Sequence, residues 1–554
     1  MTHATTPPDL APDYYLTNFR FLVDWVAARY NDLLDKDDLA FIQTFQQLDH
    51  PAQCLLVRLC SRKGPLFRQD KLRYPEVDSI SNAVQTLLDA GLMQQHLPIS
   101  LTELAASLTR HELLTLFEKP LTGLKQARKD VLIQTLAASH SEPQTWQNWT
   151  RNQLGEAWHL DHQAIVSRLL ILFFGNPYQN LTDFVLQDLG LFRYENYQID
   201  HRYRLFKSRD ELEQYQQLVA LRDALDGEHT IETLQQLGEQ LPPVSDNERL
   251  QRRRARLCND IAYKLERNGN HEAALQLYGQ SHLPPARERR IRLLEKQQNY
   301  TAAWALLNEL LATPANEQEL QIARRMAPKI AKKLGHPLLP KTVGFIIEQQ
   351  LSLTPLHNEA GEILRVEEVV RLILNTETAP CVYAENALLT GMFGLWLWPE
   401  MFRGIEGAFA NPFQAAPLDM YQENFVSRRP GIDELRSLLK NGDYREHTLR
   451  CWQEKFGITN HFVNWSFLTR ERIELALHCI PASHLTLIFE RILFDIKNNR
   501  SGLPDLIQFF PEQASYRMIE VKGPGDRIQD NQQRWLDYFA QHSIPAEVAY
   551  VRWQ

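Results

Sequence analysis

The chain is short of the residues that would mark a secreted, thiolate-metal or membrane protein. Its six cysteines (54, 60, 258, 381, 451 and 479) are scattered over 554 residues. None forms a C-x-x-C pair, and the close pair Cys54 and Cys60 has neither zinc nor redox spacing. Reduced, mostly buried thiols are expected. Long apolar runs are also missing: the nearest, "LLILFFG", stops at seven residues, against the roughly 20 that span a bilayer. The opening "MTHATTPPDLAPDYY" lacks the basic segment and apolar run of a signal peptide. These absences predict a protein of the cytoplasm, around the nucleoid in a bacterium or in the nucleus of a eukaryote, with no membrane partner. Positive charge is not in excess either. A net charge of -8 excludes a surface coated uniformly for nucleic acid, but it leaves local basic faces open.

What is present is enough apolar sequence, 44%, for three to five domains with separate cores. Apolar residues recur at three- and four-residue spacings up to about residue 345, so this part is predicted to be almost entirely helical. Within 51–75, six cations (Arg58, Arg62, Lys63, Arg68, Lys71, Arg73) face Asp70 alone, a net of five positive charges. A second cluster, Lys119, Lys125, Arg128 and Lys129, falls in the turn "KPLTGLKQARKD" between two short amphipathic helices. That segment resembles a SAP motif, a small helical element that grips duplex phosphates. Residues 251–300 carry eleven Lys and Arg against five Asp and Glu, with "RRRAR" at 252–256. The same region holds a weak internal echo, "NGNHEAALQLY" followed 29 residues later by "QQNYTAAWALL", which predicts stacked, tetratricopeptide-like helical hairpins.

Convincing strands come only at the end. "LIQFF", "YRMIEVKG" and "AEVAYVRW" are short and rich in β-branched and aromatic residues, and the last two flank an amphipathic helix, "DRIQDNQQRWLDYFAQHS". Asp505 stands at the mouth of the first strand and Glu520 near the end of the next. If the two strands pair, both carboxylates reach one sheet edge. Lys522, two residues past Glu520, shares its face. Two oxygen ligands and an ammonium suit phosphodiester hydrolysis with a hard divalent cation, Mg²⁺ or Mn²⁺, and the Val521 carbonyl is a further candidate ligand. Two acids in earlier stretches are further candidate ligands. Glu385, before the apolar "NALLTGMFGLWLWPEMF", competes with Glu490 and is preferred, because a lone carboxylate in buried-looking sequence needs a partner.

The run P-D-x14-E-V-K-G-P resembles the PD-(D/E)xK nuclease signature, and "RSGLPDL", "IEVKGPGDR" and "QQRW" together resemble its VRR-NUC branch. That resemblance implies that Gln532 belongs to an active-site helix. "YAENALLTGMFGLWLWPEMF", "FQAAPLDMYQENFVSRRPGIDELRSLL" and the N-terminal "YYLTNFRFLV" with "LLVRLCSRKGPLFRQDKLRY" resemble the Fanconi-associated nuclease family from about residue 14 onward. The resemblance implies a multidomain, mainly α protein. Its parts would be a helical DNA-binding region (1–95), a SAP-like motif (96–140), a helical linker (141–245), tetratricopeptide-like repeats (246–345) and a C-terminal α/β, restriction-endonuclease-like VRR-NUC domain (346–554). It further implies metal ligation by Glu385, Asp505, Glu520 and Val521, with Lys522 and Gln532 beside them. The implied activity is a structure-selective 5′-flap endonuclease and 5′-to-3′ exonuclease of the phosphodiesterase I type, acting in DNA interstrand crosslink repair. Branched or 5′-flap DNA and a 5′-terminal phosphate would be its partners, with repair proteins on the helical repeats. Candidate DNA contacts are Arg62, Lys63, Arg68, Lys125, Arg128, Lys129, Arg252, Arg253 and Arg254. No Cys/His pattern matches the ubiquitin-binding zinc finger of the animal members, so a bacterial-type member is implied.

Plainer readings stand beside these. Asp505 could cap a Pro-Asp turn, Glu520 and Lys522 could be an exposed cross-strand ion pair, and Glu385 could favour a helix N-terminus. Gln532 could be a surface residue, and the basic clusters solvated helix faces. "SRRP" at 427–430 could meet phosphate or start a helix, and Trp396, Trp398 and Phe402 are most simply core. A junction-resolving or restriction-type endonuclease, or a non-catalytic repair scaffold, are the competing functions.

Overall fold

The computed structural model describes residues 11–62, 64–179, 192–337 and 345–554. They fall into two units, one of residues 1–192 with 207–209, the other of 193–206 and 210–554.

The first unit is helical with two small sheets. Helices Tyr14–Tyr30, Lys36–Gln47, His50–Cys60 and Ile80–Asp89 are accompanied by β1 (Leu66–Arg68) and β2 (Met93–Gln94). Further on come β3 (Pro98–Ile99), β4 (Gln144–Thr145) and β5 (Ala157–Leu160). β5 pairs antiparallel with both β1 and β2, and β3 with β4. The all-helical expectation missed these strands because two to four residues are too few to show a period of two. The short helices Leu101–Ser107 and Arg110–Leu116 start where the sequence places S-x-x-E and T-x-x-E. In each, the hydroxyl accepts from the third helical N–H and the glutamate returns to the cap, satisfying two orphan donors. With Lys129–Ala137 they enclose a core of Leu104, Leu113, Leu132, Leu136 and Trp149.

In the second unit the echo has a structural cause. Asn270 and Asn299 each cap a helix, His271–Gly279 and Tyr300–Ala312, through their side-chain oxygens. Each follows a residue at positive φ, Gly269 (+85°) and Gln298 (+61°). Five consecutive helices from Glu248 to Leu334, each packed on the next, form the expected series of hairpins.

The C-terminal sheet has five strands in the order β6-β10-β9-β8-β7, with β6 Ile347–Leu353, β7 Cys381–Tyr383, β8 Leu506–Phe510, β9 Ser515–Lys522 and β10 Ala546–Trp553. β7, β8 and β9 pair antiparallel, and β10 runs parallel to β9 and β6. The helix Asp530–Gln541 makes the crossover from β9 to β10, as parallel pairing requires. β8 and β9 are nearly continuously buried because both faces are covered. Ile507, Phe509 and Met518 join Trp535, Phe539 and the helix Leu388–Met401 in one core. Leu506, Ile519 and Val521 join Val370 of the helix Val366–Leu374 in another. Trp396, Trp398 and Phe402 are core, as read from the sequence.

Candidate active site

β8 and β9 pair with Leu506 opposite Ile519, and one further step of that register sets Asp505 across from Glu520. The turn between them uses Pro511–Gln513 and Ala514 at φ +46°, so the antiparallel return brings both acids to one edge. Asp505 is 8% exposed, Glu520 1% and Lys522 7%. The Asp505 carboxylate accepts from the Val521 N–H at 2.9 Å. Lys522 Nζ lies 2.7 Å from Glu520 Oε1 and donates to Gln532 Oε1 at 2.9 Å. Lys522 and Glu520 thus form a buried ion pair. Gln532 sits in the first turn of its helix, and the same oxygen accepts from the Gln529 N–H. The glutamine therefore fixes both the helix start and the lysine.

Two loops hold this edge in place. The Asp505 carbonyl accepts from the N–H groups of Ala384 and Glu385 at 2.8 and 3.2 Å, and Asn386 Oδ1 accepts from the Leu503 N–H at 3.2 Å. After β9, Asp526 accepts from the Gly523 N–H at 3.0 Å, which accounts for the "GPGD" turn.

Burial raises the pKa of Asp505 to about 6; the Val521 N–H and Lys522 oppose the shift, and the charges of Glu367 and Glu385 add to it. Burial and then Asp505 raise Glu520 to about 7, against Lys522. The cause is two desolvated carboxylates sharing one ammonium. Such a site carries excess negative charge, which fits a hard cation held through oxygen.

Glu385 is exposed where the sequence suggested burial. It lies in the turn ahead of the helix Leu388–Met401, and Tyr383 Oη donates to its carboxylate. Its backbone is tied to Asp505 and its charge is felt there, but its side chain faces Tyr383. Among the described residues no three His, Cys, Asp or Glu side chains are arranged to hold a metal as they stand. The rival Glu490 is bound by Arg436 at 2.6 and 2.7 Å. Two residues near the site went unread in the sequence: Tyr383, and Glu367 in the first turn of Val366–Leu374, whose charge acts on Asp505. Nothing in "VEEVV" distinguishes Glu367 from a helix-start acid.

The expected DNA contacts divide. Arg62, Lys125 and Arg128 are exposed, with Arg62 donating to Tyr74 Oη at 3.0 Å; Lys63 lies outside the described residues. Arg68 is a correction: it is buried, forked onto Glu112 and Asp70 at 2.7 to 3.0 Å. Lys129 donates to the Leu108 carbonyl at 2.7 Å. The "RRRAR" face is also a correction. Arg252 pairs with Glu423 at 2.7 Å, Arg253 lies over the Tyr215 ring and donates to its hydroxyl, and Arg254 donates to the Pro242 carbonyl and Gln280. In "SRRP", Arg429 is fully buried against Asp419, which Arg428 also pairs. Sequence shows the charges but not that carboxylates and carbonyls distant in the chain have claimed them.

A mixed sheet carrying P-D and E-x-K on adjacent strands, backed by a helix that delivers a glutamine to the lysine, defines a VRR-NUC nuclease; residues 439–553 match the VRR-NUC domain model. Residues 13–94 match the helix-turn-helix domain of FAN1, and 98–149 the Fanconi anemia-associated nuclease SAP domain. The chain is 39% identical to the Fanconi-associated nuclease 1 homolog of Pseudomonas aeruginosa, over 98% of this chain and 96% of that one. It therefore belongs to the Fanconi-associated nuclease 1 family. The human member is 24% identical, over 97% of this chain but 62% of its own length. A crystal structure of paFAN1 bound to 5′-flap DNA with a two-nucleotide flap and a gap superposes with a TM-score of 0.82 at 38% identity, covering 99% of this chain and all of that one. The chain is a nuclease, and chemistry of the VRR-NUC kind is divalent-metal hydrolysis.

Proposed function

We propose that this nuclease is structure-selective, cutting 5′ flaps and trimming DNA from 5′ ends, in the repair of interstrand crosslinks. The observation that carries the chemistry is the pairing of Asp505 and Glu520 across β8 and β9 with Lys522 on the same edge. The likeness to a protein solved on 5′-flap DNA supports the substrate. Asp505, Glu520 and the Val521 carbonyl would hold Mg²⁺ or Mn²⁺, with Glu385 joining once it leaves Tyr383. The bound ion supplies charge for the phosphate and a water of lowered pKa. Burial of the two carboxylates excludes competing water. Lys522, held by Gln532, keeps its ammonium at the edge where negative charge develops on the phosphoryl oxygens.

In this reading the segments 1–95 and 96–140 grip duplex phosphates through Arg62, Lys125 and Arg128, the hairpins of 246–345 offer a face for repair proteins, and 346–554 cuts. A site of action at the nucleoid or in the nucleus follows from that substrate; no described helix is long and apolar enough to cross a membrane. The test is a panel of flap, splayed, nicked and four-way DNAs, with and without a 5′ phosphate. Preferred cutting of the 5′ flap near its 5′ end supports the reading. Preference for four-way junctions, or no cutting in Mg²⁺ or Mn²⁺, refutes it.

A further inference from the structure

Glu385 is tied to Asp505 by its backbone and to Tyr383 by its side chain. The backbone is pinned on both sides. The N–H groups of Ala384 and Glu385 donate to the Asp505 carbonyl, and the next residue, Asn386, holds φ +48° while its Oδ1 accepts from the Leu503 N–H. Only the side-chain torsions of Glu385 are left to choose where its carboxylate goes. They direct it to Tyr383 Oη, which donates to it. Tyr383 closes β7 opposite Leu506, the residue after Asp505, so the phenol stands at the flank of the carboxylate edge.

Charge explains that orientation. Asp505 and Glu520 are buried beside one ammonium, and the charge of Glu385 already weighs on both. Glu367 acts on Asp505 and on Tyr383 as well. In the metal-free protein, turning Glu385 inward would set a third carboxylate against two desolvated ones. Turned outward, it keeps its water and gains a charge-assisted hydrogen bond from the phenol. A divalent cation reverses the balance, because it draws carboxylate oxygens to itself.

We propose that Tyr383 is a positioning residue for the metal site: its hydroxyl holds Glu385 outside the carboxylate edge and must release it before Glu385 can ligate. Tyr383 thereby favours the metal-free site and lowers its affinity for Mg²⁺ or Mn²⁺. The inference rests on the reading of Glu385 as a ligand, but its test needs no cleavage. Tyr383 is 37% exposed, so Tyr383→Phe removes the hydroxyl without opening a cavity, and the exposed Glu385 carboxylate stays hydrated. That substitution isolates the hydrogen bond.

Mn²⁺ binding to the full chain, without DNA, is measured by loss of the free-ion electron paramagnetic resonance signal. Wild type is compared with Tyr383→Phe, Glu385→Gln and the double variant. Tyr383→Phe should bind Mn²⁺ about threefold to tenfold more tightly than wild type, while its melting in EDTA stays cooperative. Glu385→Gln should bind more weakly by about tenfold or more. Adding Tyr383→Phe to it should change nothing, because a released glutamine brings no charge to the ion. If Glu385→Gln is weak but Tyr383→Phe binds Mn²⁺ no more tightly than wild type, the proposal is overturned and Glu385 remains a ligand. Weaker binding by Tyr383→Phe would mean that the hydroxyl stays on one carboxylate oxygen while the other meets the ion. Equal tightening by Tyr383→Phe with Glu385 and with Gln at that position also overturns it. Wild-type affinity in Glu385→Gln refutes the ligand reading, and the role of Tyr383 with it.

Discussion

The Asp505 carboxylate accepts a hydrogen bond from the Val521 N–H at 2.9 Å, so a proposed metal ligand is also a clasp between β8 and β9. This double role separates two substitutions. Asp505→Asn keeps an acceptor for Val521 and loses only charge, whereas Asp505→Ala also leaves a buried N–H unpaired, at a cost of about 1–3 kcal/mol. Both variants should lose cleavage by at least about a hundredfold. Urea melts in metal-free buffer should place the Ala variant clearly below the Asn variant, and the Asn variant at or above wild type. Equal stability of the two variants would remove the clasp.

The raised pKa values predict how stability and metal affinity change with pH. Folding raises Asp505 to about 6 and Glu520 to about 7, above their unfolded values, so the folded state disfavours their charged forms. The resulting penalty is absent below about pH 4. For each group it grows by about 1.4 kcal/mol per pH unit between its unfolded and folded pKa, and it is complete above pH 7. In EDTA, the stability advantage of Asp505→Asn and Glu520→Gln over wild type should therefore increase from pH 5 to pH 8, while wild-type affinity for Mn²⁺ also increases. Chemical denaturation and a Mn²⁺ titration at the two pH values check this. An advantage independent of pH would show that these carboxylates are not the strained groups.

Arg68 should behave as a structural residue and Arg62 as a contact. The fork of Arg68 onto Asp70 and Glu112 holds the Glu112 carboxyl down at about 2, chiefly through that hydrogen bond. Arg68→Ala should cost about 2–3 kcal/mol of stability. Arg62→Ala and Lys125→Ala should each leave stability within about 0.5 kcal/mol and lower the salt slope of DNA binding by about one. Melting curves and anisotropy titrations at several salt concentrations distinguish the two roles.

Gly502 holds the loop leading to Asp505 at φ +90°, and a Cβ there would meet the Asn531 backbone at 2.8 Å. No rotamer relieves a clash with main chain. Gly502→Ala should move this loop against the helix that carries Gln532, lowering stability by about 1–3 kcal/mol and activity with it. A variant with wild-type melting and cleavage would show that the approach is not tight.

How legible the molecule was depends on how local each signal is. β8, β9, β10 and the crossover helix could be read because β-branched and aromatic runs and a 3.6-residue period are local patterns. Asp505, Glu520 and Lys522 followed from strand alternation and pairing alone. β1 to β5 were too short to show a period, and the mostly exposed residues of β6 hide its role as the sheet's parallel edge. Glu385 was placed near Asp505 by resemblance, while the burial argued for it was wrong: the apolar run starts only after its turn. Arg68 and Arg252 to Arg254 were misread as free because their partners, Glu112, Glu423, Tyr215 and Pro242, are distant in sequence.

Asp505 and Glu520 are proposed to hold the catalytic cation on the β8–β9 edge. The most direct test compares wild type with Glu520→Gln on a 5′-flap DNA in Mn²⁺ and in EDTA, with binding of the same DNA measured alongside. Wild type should cleave in Mn²⁺ alone, and Glu520→Gln should lose at least about a hundredfold in rate with DNA affinity unchanged. Cleavage by Glu520→Gln at the wild-type rate, or wild-type cleavage that persists in EDTA, would contradict that role.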